Sequence, residues 1–176
     1  MFDLSQYVNT YVGNNFKLNV QQYIIVENGK YVYIDSMGYK HIFEQLSNNK
    51  FYDSEGLELI LEVNNNLLTI KDQQNNRLIF ENNKIIKSVS NINETKKFDY
   101  DSFGRLKIIY DTNYPNMKLL FEYDNKTNLL NYIKYKNGIN VVKKIHYEYN
   151  ENNNLIKVSD DIEKHMFIYA KNYLTN

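Results

Sequence analysis

Residues 121–135, "FEYDNKTNLLNYIKY", set an aromatic–acid–Tyr–Asp run, a polar turn and a Leu-led apolar run in succession. A near-copy stands upstream as "FDYDSFGRLKIIYD" (98–111), and another downstream as "YEYNENNNLIKVSD" (147–160). The last aromatic of each run is a marker: Phe80, Tyr100, Tyr123, Tyr149 and Tyr169, at intervals of 20, 23, 26 and 20 residues. A recurring period of that size is the signature of stacked supersecondary units.

Two positions before the markers stand Leu78, Phe98, Phe121, Tyr147 and Phe167, and the residue between is polar in Asp99, Glu122 and Glu148. Such period-two alternation predicts a strand with one buried face. Ile79 and Ile168 break the pattern, so those two strands are expected to be covered on both sides. The turns that follow ("ENNK", "DSFG", "DNKTN", "NENNN") are rich in Asn, Asp and Gly, which bond their own backbone and accept positive φ. In the next strand the apolar pairs Ile86/Val89, Leu106/Ile109, Leu130/Ile133 and Leu155/Val158 lie three apart, which strict alternation would put on opposite faces. A bulge is therefore expected there, turning both members inward. Each unit reads as a hairpin.

Upstream, "FKLNVQQYIIV", "GKYVYID", "GYKHIFEQ" and "LELILEV" read as further strands, and "LLTIKDQQNNRLIF" fits the hairpin scheme. No long window shows a helical period, 162–174 coming nearest. The predicted fold is all-β, with antiparallel hairpin repeats stacked into a coiled, twisted strip.

Composition agrees. With 43% hydrophobic residues in 176, the chain has material for a core. Basic and acidic residues balance at 21 each, so no field develops that would attract nucleic acid. Cysteine is absent, which removes disulfides and thiolate metal sites. "MFDLSQYVNTYV" shows no basic leader with an apolar core, and no window reaches the ~20 apolar residues of a spanning helix. Asn makes up about a sixth of the chain and Tyr reaches 17, a bias that suits tight turns and pleated surfaces.

"YDSFGRLKIIYD" resembles the YD repeat of the Rhs family, whose consensus runs Tyr-Asp, a few residues, Gly-Arg-Leu, then a strand closing near Asp. The copies at Tyr123 and Tyr149 lack the Gly-Arg. "FKLNVQQYI" and "YVYIDSMGYKHIF", followed by "DSEGLELILEV", resemble the region leading into YD repeats in Gram-positive wall-associated members. The likeness implies a lead-in β segment over 1–62 and tandem YD-type hairpins over 63–176, in one continuous structural unit. It also implies a bacterial secreted or cell-surface setting, and β-strips that in large members coil into a shell around a toxin or other cargo. "EKHMFIYAKNYLTN" carries no Pro- and Gly-containing motif of the kind that ends such shells. The last strand shows no shielding unit, so continuation with further repeats or self-association is expected.

Catalytic constellations are not legible. His146 and Glu148, two apart, share a strand face but are too few for a metal site, and His41, His146 and His165 are read as solvent-face strand residues. Asp101 and Asp160 recur as Asp or Asn in other copies, which marks them as turn formers. No nucleophile elbow or phosphate loop is present. Neither a cofactor nor a metal is expected. The aromatic wealth is the one feature suited to a ligand: Tyr132, Tyr135, Tyr147 and Tyr149 are the candidate binding residues, for a glycan or a polypeptide. Two functional readings follow. One is a non-enzymatic scaffold or cargo-enclosing segment. The other is a carbohydrate- or protein-binding sheet at a cell surface.

Overall fold

A computed structural model describes residues 11–14, 16–170 and 173–175. The strands are β1 (Tyr23–Glu27), β2 (Lys30–Ile34), β3 (Lys40–Ser47), β4 (Lys50–Asp53), β5 (Ile60–Asn64), β6 (Leu67–Lys71), β7 (Arg77–Glu81) and β8 (Lys84–Val89). They continue as β9 (Thr95–Tyr100), β10 (Leu106–Asp111), β11 (Met117–Tyr123), β12 (Leu130–Asn137), β13 (Asn140–Tyr149) and β14 (Leu155–Ser159). Three short strands follow: β15 (Lys164–Met166), β16 (Ile168–Ala170) and β17 (Tyr173–Thr175). The fold is all-β and antiparallel, and the described residues contain no helix. The described residues of the 162–174 window, nearest to a helical period, are strand, bend or irregular.

Packing divides the chain into two compact units. One holds Asn19–Phe98 and Asp111–Asn113; the other holds the chain up to Leu18, Asp99–Tyr110 and Tyr114 onward. The boundary read at residue 62 falls inside β5 of the first unit.

In the first unit each strand from β2 to β8 pairs with its predecessor, and β1 returns to β8 through Tyr23 opposite Lys84, closing an eight-stranded barrel. Its core includes Ile24, Phe43, Leu61, Ile70, Phe80 and Ile85, none more than 2% exposed. The strands are joined alternately by two kinds of turn, so each kind gathers at one end of the barrel. Asn28–Gly29 and Asn82–Asn83 are two-residue turns with both residues at positive φ, the geometry that matches strand twist. The other kind is longer: between β2 and β3 and between β6 and β7 it is a five-residue loop built by its first side chain, and between β4 and β5 a six-residue loop. In Asp35, Asp72, Asp101 and Asn150, Oδ1 accepts the amides two and four residues on, at 2.8–3.0 Å. The backbone carbonyl of the same residue accepts the amide three residues on. This is why Asp and Asn recur after the markers, and Asp101 is shown to be the turn former expected.

The second unit contains β10 to β15 paired in sequence, with β16 and β17 forming a separate two-stranded sheet. Of the four expected bulges, those in β8, β12 and β14 are present, whereas Leu106 and Ile109 of β10 are both buried with no register shift in its pairing with β11. Leu130 pairs with Tyr123 while Tyr132 pairs with Glu122, leaving Asn131 as the extra residue; Ile156 is the extra residue after Leu155. Leu130 and Leu155 are 0% and 2% exposed as a result. In β8 the bulge falls on Ile86 itself, so Ile85, not Ile86, joins Val89 in the core. Covering on both faces does not hold for Ile168, which is 71% exposed. The side chain of the marker Tyr169 lies outside the described residues, as do residues 1–10 of the leader reading.

Residues 11–14 lie over the turn ends of this unit. The Asn14 amide donates to the Asn153 carbonyl at 3.1 Å, Tyr11 meets Tyr123 edge-on at 5.6 Å, and Val12 is buried. Gly13 makes the approach possible: φ is +85°, and a Cβ there would sit 2.7 Å from the Asn153 oxygen. Among the described residues no helix is long and apolar enough to cross a membrane.

Candidate functional site

The four candidate tyrosines all belong to the second unit, on the longest hairpin, β12–β13. They do not form one surface. Tyr132 and Tyr135 are three apart on a strand without a bulge between them, so they occupy opposite faces. Tyr135 stands opposite Leu119 and Lys143, on the face that Tyr147 and Tyr149 also share.

Tyr132 sits in a charged lattice. Its ring stacks on His146 with centroids 4.6 Å apart, and Lys144 Nζ lies 3.6 Å from its centre. Lys134 Nζ is 2.6 Å from Glu122 Oε1, and His146 Nδ1 is 3.4 Å from Glu148 Oε1, which also pairs with Lys157. His146 and Glu148 thus share a face, as alternation requires. No group of three or more His, Cys, Asp or Glu is placed to hold a metal ion among the described residues. Lys157 is the main cause holding the Glu148 carboxyl below its usual range.

Tyr147 and Tyr149 line a cleft of about 480 Å³ with Asp124, Asn131, Glu148 and Asn153. It opens because β13 pairs with β12 only as far as His146, while β14 takes up Tyr147 and Tyr149. Both phenol groups are raised by burial. The Tyr149 hydroxyl donates to the Leu130 carbonyl at 2.8 Å, bridging the splayed strands at the bulge. Tyr123 repeats the contact one hairpin earlier, donating to the Leu106 carbonyl at 2.7 Å.

Arg105, of the Gly-Arg-Leu run, is only 9% exposed. Its Nε donates to Asp101 Oδ2 at 2.7 Å and its Nη1 to Asn128 Oδ1 at 3.0 Å, with the guanidinium carbon 4.5 Å from the Tyr123 ring centre. One side chain therefore ties its own turn to the next turn and to the next marker. In the first unit Asn76 does related work, donating to Asp72 Oδ2 at 2.7 Å and accepting the Asn91 amide at 2.9 Å. Asp160, read as a turn former, accepts the Ile162 and Glu163 amides and pairs with Lys143 at 2.6 Å.

His41 is a correction. It is 6% exposed and points to the inner face of the first unit, not to solvent. The reason is its place two residues before Phe43 on β3, combined with a carboxylate partner: Nε2 lies 3.2 Å from Asp35 Oδ2. That spacing was visible in the sequence; the turn-forming Asp35 that makes burial tolerable was not. His165 is exposed, as expected, and His146 is half-exposed. Around His41 lies a second cavity, of about 310 Å³.

The chain matches no protein-family model and no curated protein.

Proposed function

We propose that this chain is a non-enzymatic structural segment of the YD-repeat type, resembling Rhs proteins, whose work is to hold β-hairpins as a scaffold for another polypeptide. The supporting observation is the chemical use of the repeated residues. Tyr123 and Tyr149 lock onto the preceding hairpin, and Arg105 bonds its own turn and the next. The marker tyrosines of two successive units and the arginine of one turn are spent on joining units, which is scaffold chemistry. The test is co-expression with the polypeptide encoded next to it, followed by limited proteolysis. Protection of that polypeptide, weakened by Arg105→Leu, supports the reading; equal digestion with and without this chain overturns it.

A recognition module is the second reading, favoured by the cleft that pairs Tyr147 and Tyr149 with Asp124, Asn131 and Glu148. Aromatic faces beside amide and carboxylate groups suit a sugar ring. A glycan array decides it: hits lost with Tyr147→Ala and kept with Tyr132→Ala would place binding in the cleft, and a blank array would remove this reading.

A further inference from the structure

The two-residue turns of the first unit, Asn28–Gly29, Asn48–Asn49, Asn65–Asn66 and Asn82–Asn83, are all Asn or Gly, the residues that tight solvated bends favour. The hairpin of β12 and β13 turns instead on Gly138–Ile139. Gly138 takes the positive φ, at 59°, so the bend asks nothing apolar of its second residue. Ile139 stands there all the same, 90% exposed. Other exposed apolar residues gather around it. Val141 and Val142 follow on β13, and Met117 stands opposite Asn137 at the start of β11. The Asn116 carbonyl accepts the Gly138 amide at 2.9 Å, and the Tyr114 carbonyl accepts the Met117 amide at 2.8 Å. These bonds bring the exposed Tyr114 to the same end of the sheet.

Lysines stand directly behind this tip. Residues 134–144 hold four lysines and no carboxylate, although the chain as a whole is neutral. Lys118 lies opposite Lys136 across the strands, and Lys134 lies opposite Lys144. Like charges set directly opposite repel one another. Cross-strand partners share a face and Lys134 and Lys136 are two apart, so all four lie on one face. Glu122 answers Lys134 alone, at 2.6 Å, while Lys144 rests on the Tyr132 ring. Lys118, Lys136 and Lys144 pair with no carboxylate among the described residues.

A nucleic acid or other soluble polyanion would suit the lysines but not the apolar tip. A second copy of the chain would suit the tip but would bring two sets of lysines together. A bilayer with anionic headgroups suits both. At about 3.4 Å per residue, Lys136 lies about 7 Å behind the turn. Interfacial segments bury their apolar side about 5–10 Å deep, so an inserted tip sets these lysines among the headgroups. We propose that the tip of the β12–β13 hairpin docks on an anionic lipid bilayer, with Ile139, Val142 and Met117 entering the acyl boundary and Lys118 and Lys136 on the lipid phosphates. The contact lies on the membrane and does not span it. It is independent of the scaffold reading, whose locks at Tyr123, Tyr149 and Arg105 sit at the opposite end of these strands.

Co-sedimentation of the full chain with phosphatidylcholine vesicles, with and without phosphatidylglycerol, tests it. Binding is expected only where phosphatidylglycerol is present. Lys118→Gln with Lys136→Gln should weaken it about 25-fold, each lysine near such a surface being worth about fivefold. Ile139→Ser with Val142→Ser should weaken it roughly tenfold or more through lost apolar burial. The chain has no tryptophan, so in Ile139→Trp the emission reports the tip alone and should shift to the blue on adding the anionic vesicles. That reporter keeps all four lysines and decides even if a lysine variant does not fold. Equal binding to neutral vesicles, full binding by the serine variant or an unmoved tryptophan emission would overturn the proposal. So would vesicles left unbound beside an oligonucleotide held equally by parent and serine variant, the mark of a plain polyanion site. Vesicles left unbound beside dimers that the serine variant loses would give the tip to a second copy and overturn it too.

Discussion

The hydroxyl of Tyr149 donates to the carbonyl of Leu130, across 2.8 Å and nineteen positions of sequence. A bulge disrupts the ladder at Leu130, and the tyrosine supplies the donor where the partner strand has moved away. Tyr149→Phe is expected to lower unfolding free energy by about 1 kcal/mol, and Tyr123→Phe by a similar amount, in urea titrations. Tyr114→Phe, at an exposed position, should stay within about 0.5 kcal/mol. Burial raises both locked phenols, so they favour the folded state below their unfolded pKa, and that contribution is lost as pH climbs beyond about 10.

Arg105→Lys should behave as a severe change. Lysine cannot reach Asp101 and Asn128 together or lie flat on Tyr123. A loss of roughly 2–4 kcal/mol is expected, since it leaves the largely buried Asp101 carboxylate poorly paired. Asp101→Asn should cost less than Asp101→Ala, because Asn150 builds the same loop.

Acid should unfold the protein through its turns. Burial works against the Asp101 carboxylate, but the amide and side-chain bonds from Arg105 and the amide of Phe103 prevail and depress its folded pKa. The carboxyls of Asp124 and Asp160 are likewise lowered, chiefly by Thr127 and Lys143 respectively. Their stabilisation is fully present above the ordinary carboxylate pKa of about 4 and drains away as pH falls through the lower folded values. Thermal melts from pH 7 to pH 2 should show a plateau, then a decline setting in near pH 4.

Gly13→Ala should detach residues 11–14. Both the positive φ and the 2.7 Å approach to Asn153 forbid a Cβ. Faster amide exchange at Asn14 and Leu130, which bond across that contact, would register the release.

Lys143 and Lys144 lie where β13 has lost β14 as a neighbour, and Val142, 60% exposed, is the extra residue of a bulge in the same stretch. Lysines and bulges keep such edges from recruiting other strands. Lys143→Val with Lys144→Val should raise light scattering on standing at concentrations where the parent stays clear.

Strands and turns were legible because both rest on local chemistry. Alternation at Phe98–Asp99–Tyr100 and the run Asp-x-x-Gly at Asp101 each specify their own few residues. The bulges after Leu130 and Leu155 were legible too, since apolar residues three apart admit few other solutions. Closure of the first unit was not, because Tyr23 and Lys84 carry no mark of each other and meet only when accumulated twist brings β8 round to β1. His41 was misplaced because nothing in the sequence marks Asp35, six residues away, as its partner. The division of Tyr132 from Tyr135, by contrast, follows from parity alone.

A ring has no free end. Having met β1, the sheet of the first unit offers no berth for an additional hairpin between them, so duplication of the module there would open the barrel and uncover Phe80 and Ile85. Copied hairpins are therefore not tolerated between Tyr23 and Val89, and the size of the His41 chamber is set by arithmetic on strands.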